Sequence, residues 1–86
     1  MTKNKLHNDI AEVFYRVYKE QTNNEYSELK DTDVLLKTGL DSLGFAIFIT
    51  ELEEVLGYDP FSIAEDPYYP ETFGELVKFY EEHQPQ

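Results

Sequence analysis

The chain is 86 residues long and carries 18 acidic against seven basic residues, a formal net charge of −11. That length fits one domain with a small core, since such a chain buries roughly 60–65% of its unfolded surface, and the charge argues against nucleic acid, where phosphate repulsion would dominate. The absence of cysteine excludes disulfides and thiolate metal sites, and no apolar run reaches membrane-spanning length.

Met1-Thr2-Lys3-Asn4-Lys5 carries charge with no apolar stretch after it, so no secretory leader is expected. A cysteine-free chain fits a reducing, cytoplasmic setting. Six Phe and seven Tyr supply much of the core volume. The first helix is expected from about Asn8 to Gln21, with Leu6, Ile10, Val13, Phe14, Val17 and Tyr18 along one face. Asn8 can cap it and Thr22-Asn23-Asn24 stops it. His7 falls before this helix and reads as a surface residue, with no carboxylate or second His at ligand spacing.

Residues 23–41 form a long connection with apolar anchors at Leu29, Val34, Leu35, Leu36 and Leu40. It is too long and too apolar for a floppy linker. It should pack along the bundle, with a turn or two of helix near Asp33 to Lys37. Asp31-Thr32-Asp33 is not a calcium loop, because Leu35 and Leu36 stand where an oxygen ligand and a glycine are required. No metal site is expected.

Gly39-Leu40-Asp41-Ser42-Leu43-Gly44 then runs into a second helix, expected over Leu43 to Leu56. Ser42 sits at or near its first position, and the Asp41 carboxylate can accept from an N–H one or two residues on. Free N–H groups and the helix dipole favour an anion carried on Ser42. Phe45, Phe48, Ile49, Leu52, Val55 and Leu56 fall within an arc of roughly 120°, a core face. The remaining arc carries Thr50, Glu51, Glu53 and Glu54. It also carries Leu43, Ala46 and Ile47, apolar residues gathered beside one serine. Ile47 and Glu51 are expected to point away from the core.

Gly57 suits a left-handed helix end, with Tyr58 packing back on Leu52. A short third helix is expected over Ser62 to Asp66, bounded by Pro60 and Pro67. Tyr68-Tyr69-Pro70 should be extended. Thr72 and Glu75 form a capping box for a last helix from Phe73 to about Glu82. Phe73, Leu76, Val77 and Tyr80 line its buried stripe with Phe79 on the flank, and the residues from His83 fray. The expected core is Ile10, Val13, Phe14, Val17, Phe45, Ile49, Leu52, Leu56, Leu76, Val77 and Tyr80. The result is an all-α fold, a small four-helix bundle of three main helices and one short one with a long first loop. It forms a single domain over residues 1–86, ordered from about 6 to 83.

A nucleophilic serine enzyme does not fit. The hydrolase elbow needs a glycine two residues before the serine, where Leu40 stands, a strand ahead of it and a histidine base in reach. Residues 34–40 read as a loop and both histidines lie near the termini, so no catalytic residue is assigned.

Gly39-Leu40-Asp41-Ser42-Leu43 opening an amphipathic helix that ends in glutamates resembles the phosphopantetheine attachment site of acyl and peptidyl carrier proteins. The likeness extends over nearly the whole chain, because length, helix order and acidity agree. The resemblance implies a non-catalytic carrier domain of the acyl carrier protein type. A phosphopantetheinyl transferase would move 4′-phosphopantetheine from coenzyme A onto Ser42, and an acyl or aminoacyl group would travel on it as a thioester. By the same resemblance Asp41 would contact the metal and coenzyme A in the transferase complex. Leu43 and Ile47 would meet apolar pockets on partners, with Glu51 and Glu54 pairing with basic residues around them, and Ala46 and Thr50 on the same face. The partners implied are the transferase, an acyl-loading ligase or synthase and downstream acyl-transfer enzymes, served by a monomer.

Two departures shape this expectation. Carriers of fatty acid synthesis usually have acidic residues just after the Asp-Ser-Leu motif and one turn on, where this chain has Gly44 and Ile47. That favours a specialised carrier for a polyketide, peptide or modified-lipid pathway. Phe45 and Phe48 are also large where smaller aliphatics are common, which reduces the room for a long acyl chain. Charge is uneven as well: residues 1–40 hold seven acidic and six basic residues, whereas residues 41–86 hold 11 acidic residues and only Lys78. Such an acidic half steers basic protein partners. The competing reading is an unmodified acidic interaction module that uses Leu43 and Ile47 as a helix-in-groove surface.

Overall fold

The computed structural model describes residues 2–65 and 68–85, with side chains from Lys5 onward. Within these residues the chain is mostly helical: α1 (Thr2–Thr22), a 3₁₀ turn (Leu35–Lys37), α2 (Ser42–Leu56), α3 (Pro60–Ile63) and α4 (Phe73–Glu82). The long helix α1 packs against both α2 and α4. Ile10, Phe14 and Val17 from α1, Phe48 and Leu52 from α2, and Phe73, Leu76 and Tyr80 from α4 have no exposed surface. Phe14 lies at the centre, edge-on to Phe48 with ring centroids 5.5 Å apart and stacked on Tyr18 at 5.7 Å.

The first helix begins at Thr2, well before the expected start at Asn8. No breaker lies between Thr2 and His7. Leu6 continues the apolar stripe and is buried, and Lys5 Nζ meets Asp9 Oδ2 at 3.0 Å one turn on. Asn8 is therefore an interior helical residue and not a cap. His7 also lies inside α1, and Asp31, 24 residues away in sequence, meets its ring at 3.0 Å. That carboxylate was invisible to local spacing.

The long connection is fastened to α1 by tyrosines. Tyr15 Oη accepts from the Leu29 amide at 2.7 Å, and Tyr18 Oη donates to the Thr38 carbonyl at 3.1 Å. Tyr26 Oη donates to Asp33 Oδ2 at 3.0 Å; burial first, and this bond second, push the Tyr26 hydroxyl above its ordinary value. Leu29, Leu35 and Leu40 are the anchors that reach the core, whereas Val34 and Leu36 remain exposed. An isolated antiparallel bridge joins Val34 to Thr72. Leu35 N–H donates to the Glu71 carbonyl at 2.9 Å, and Phe73 N–H to the Asp33 carbonyl at 3.0 Å. The loop before Ser42 is thus tied to the start of α4.

The buried line of α2 is Gly44, Phe48 and Leu52. Phe45, Ile49 and Leu56, expected in the core, are only partly buried at its edge. Val55 faces an open groove beside Asp9, Glu12, Val13 and Arg16 and is 52% exposed. Its helical phase is that of the core, but nothing covers it there. Gly57 ends α2 with φ of 85°. Tyr58, expected to pack back on Leu52, is partly buried against the core cluster to which Leu52 belongs. Its hydroxyl donates to the Tyr80 carbonyl at 2.8 Å and its ring lies 5.9 Å from that of Tyr80.

Helix α3 starts at Pro60 rather than Ser62, because Asp59 caps it: the carboxylate accepts from Phe61 N–H at 3.0 Å and from Ser62 Oγ at 2.9 Å. Proline at the first helical position has no amide to satisfy. The helix ends at Ile63, and the expected end at Asp66 lies outside the described residues. The capping box of α4 is present in full, with Glu75 N–H donating to Thr72 Oγ1 and Thr72 N–H to Glu75 Oε1, both at 3.2 Å. Phe79, placed on the flank by its spacing, is buried against Phe61.

Candidate functional site

Ser42 is the first residue of α2 and is exposed. The Asp41 carboxylate caps the helix through Oδ1, which accepts from Gly44 N–H at 2.9 Å. The bond reaches three residues along the chain rather than one or two. Among the described residues the second carboxylate oxygen of Asp41 and the Ser42 hydroxyl make no hydrogen bond, so both face outward without an internal partner. The amides at this helix start add to a local preference for negative charge.

Gly44 makes the junction possible. A Cβ at that position would lie 2.6 Å from Leu40 Cδ1 and 3.4 Å from Asp41 Oδ1. Leu40, almost wholly buried, fills the space that a larger residue would need. A branched or acidic side chain at position 44 would displace the loop that presents Ser42. Gly39 serves the same loop: its φ is 112°, and its Cα faces the Tyr18 hydroxyl that holds the loop down.

From Ser42 the outward face of α2 continues through Leu43, Ala46, Thr50, Glu53 and Glu54, all exposed. Leu43 is 66% exposed, a large apolar side chain directly beside the serine. Thr50 Oγ1 donates to the Ala46 carbonyl at 3.0 Å, which folds its hydroxyl back onto the helix. Glu53 lies about 20° from Ser42 in helical projection. It belongs to this face although sequence reasoning treated it only as solvated surface; the projection itself contained the signal.

Two expected members sit elsewhere. Ile47, expected to point away from the core, is half-buried against it. Glu51 lies between α1 and α2, where Arg16 Nη1 donates to its Oε1 at 2.7 Å. That bond raises the already high pKa of the Arg16 guanidinium. The pair is still open to solvent, with the Glu51 side chain 31% exposed: a residue roughly 60° from Phe48 borders the neighbouring helix.

An apolar cleft of about 340 Å³ is walled by Leu35, Leu36, Phe45, Phe61, Tyr69 and Glu71. Phe45 stands one turn beyond Ser42, and the 3₁₀ turn just precedes it in the chain. Neither histidine belongs to this region. His7 is bonded to Asp31, and His83 Nδ1 lies 2.9 Å from the Phe79 carbonyl. Among the described residues no cluster of three or more His, Asp or Glu is arranged to hold a metal, and no helix is long and apolar enough to cross a membrane. No known protein family, curated protein or solved structure matches the chain.

Proposed function

We propose that this chain is a carrier protein of the acyl and peptidyl carrier type, with a four-helix fold of that kind, and that Ser42 holds 4′-phosphopantetheine. The observation that carries the reading is an exposed, unbonded serine hydroxyl on a capped helix start beside an unpartnered Leu43. The residues present fit the group. A phosphodiester on Ser42 would lie at amides left free by the helix start, and Ser42 is exposed. In the attachment step Ser42 Oγ attacks the β-phosphorus of coenzyme A. A phosphodiester forms, the anhydride bond breaks, adenosine 3′,5′-bisphosphate leaves, and the hydroxyl proton passes to a base of the transferase. Asp41 has one oxygen committed to the cap and one free for the metal and coenzyme A. When bound, the group supplies a terminal thiol for thioester cargo, the only thiol on a cysteine-free chain.

Leu43, Ala46 and Thr50 offer an apolar contact to loading and transferring enzymes, and Glu53 and Glu54 extend it with charge. Gly44 and the inward Ile47 leave the first turn without the acidic residues of fatty acid carriers, which supports a specialised pathway. The test is intact mass after incubation with a broad-specificity transferase and coenzyme A. One prosthetic group should be added, and Ser42→Ala should abolish the addition. An unmodified parent with several transferases, or modification surviving in the variant, would sink the reading and leave the unmodified interaction module.

A further inference from the structure

The cleft walled by Phe45, one turn along α2 from Ser42, has an exposed apolar lip. Leu36 is 58% exposed, Tyr69 83% and Val34 37%. Its far wall cannot drift away, because Leu35 N–H is bonded to the Glu71 carbonyl and Glu71 N–H to Glu75 Oε1, both at 2.9 Å. Glu71 carries the one carboxylate among the described residues of the lining. Its carboxylate is exposed and makes no hydrogen bond or ion pair among the described residues. A fixed apolar cleft with one carboxylate at its edge is complementary to a compact ligand with an apolar body and one positive charge. A second copy of this chain is a poor occupant, because each copy carries a net charge of −11. A long alkyl chain is a poor one too. The cleft is at the small end for ligand pockets, and the interior beyond it is filled by Phe14, Phe48, Phe73 and Tyr80.

We infer that this cleft shelters an aminoacyl group tethered at Ser42, with its apolar side chain against Leu36, Phe45 and Tyr69 and its α-ammonium at the Glu71 carboxylate. The inference rests on the carrier reading of Ser42 and narrows its cargo from acyl groups in general to apolar aminoacyl groups. Glu71 is then a specificity residue: a carboxylate that favours cargo with a free amine over cargo of the same shape without one. Leu36 and Tyr69 are exposed because they form the cover for cargo that comes and goes.

The experiment compares two cargoes of nearly equal shape. Ser42 is loaded from phenylalanyl- and from 3-phenylpropionyl-coenzyme A by a broad-specificity transferase, and each product is verified by mass. Thioester cleavage by hydroxylamine is then followed at about pH 6, where an α-amino group is protonated. Each rate is divided by that of the corresponding free pantetheine thioester. Nuclear magnetic resonance shifts of Leu36, Phe45, Tyr69 and Glu71 give a second readout. The phenylalanyl form should be protected about two- to five-fold more than the desamino form, the range an exposed ion pair supplies. Glu71→Gln should erase that difference, and Leu36→Ala should lower the protection of both. Equal protection of the two cargoes overturns the role of Glu71, and unshifted resonances overturn the cleft as the site. A chain that cannot be loaded overturns the carrier reading and this inference together; loading without protection overturns the inference alone.

Discussion

Gly44 is where a single missing Cβ decides how the serine is presented. Leu40 occupies its place under the helix start, and Asp41 reaches over it to bond its amide. Gly44→Ala should therefore lose more than the usual gain in helix propensity. Leu40 is 1% exposed, so the cost should be about 1–3 kcal/mol of overpacking in a denaturant melt. A change of a few tenths would mean that Leu40 has room to move. Tyr80 presents the opposite case. Its hydroxyl is buried without a hydrogen-bond partner among the described residues, and burial pushes its pKa upward. The aromatic ring justifies its place in the core, whereas the oxygen is held there at a loss.

Helix boundaries show what each element owes to local and to distant residues. The capping box of α4 is local, and Thr72 with Glu75 was legible three residues apart. Two backbone bonds to the Glu75 carboxylate, from Glu71 and Thr72, hold its pKa below the ordinary glutamate value. A lowered folded-state value means stability that is fully present above the ordinary glutamate range and is lost as pH falls through the lowered value. Glu75→Gln should flatten that acid-side decline of the melting temperature; an unchanged slope would place the acid sensitivity in other carboxylates. The phase of α2 was less legible. Apolar residues at 43, 45, 46, 47, 48 and 49 leave almost every direction of its first turns apolar. Contact with Phe14 selected Phe48, and Leu40 replaced a side chain at Gly44, both through residues far from the local pattern. The same reason hid the Arg16–Glu51 pair, 35 residues apart. The site serine needed no such help, because its cap and position are written in consecutive residues.

For the whole molecule, charge and shape set how a partner meets the chain. The half from Asp41 onward has 11 acidic residues and only Lys78, yet Arg16 crosses from α1 and occupies one of those carboxylates. A basic partner that used Glu51 would have to displace a guanidinium already in place. Arg16→Gln should raise transferase kcat/KM by about two- to five-fold at low salt, with the gain fading as salt screens it. Its melting curve should barely move, since an exposed pair contributes about 0.2–1 kcal/mol. No kinetic change would confine docking to the Leu43, Ala46, Glu53 and Glu54 face.

The bridge between Val34 and Thr72 bears on how the molecule breathes. Loop amides ordinarily exchange with solvent quickly, because local opening exposes them at little cost. Here the amides of Leu35, Phe73 and Gly74 are all bonded across a gap of more than 30 residues, to Glu71, Asp33 and Asp31. None of the three can be released unless the loop and the start of α4 separate. Their hydrogen–deuterium exchange should therefore be as slow as that of the α4 interior, and all three should quicken together under mild denaturant. Fast exchange at Leu35 alone would show two independent segments. A shared rate would make the 31–35 and 71–74 stretches one cooperative opening unit, so that any loosening of the peptide leading to Ser42 is felt at once at the far end of the chain.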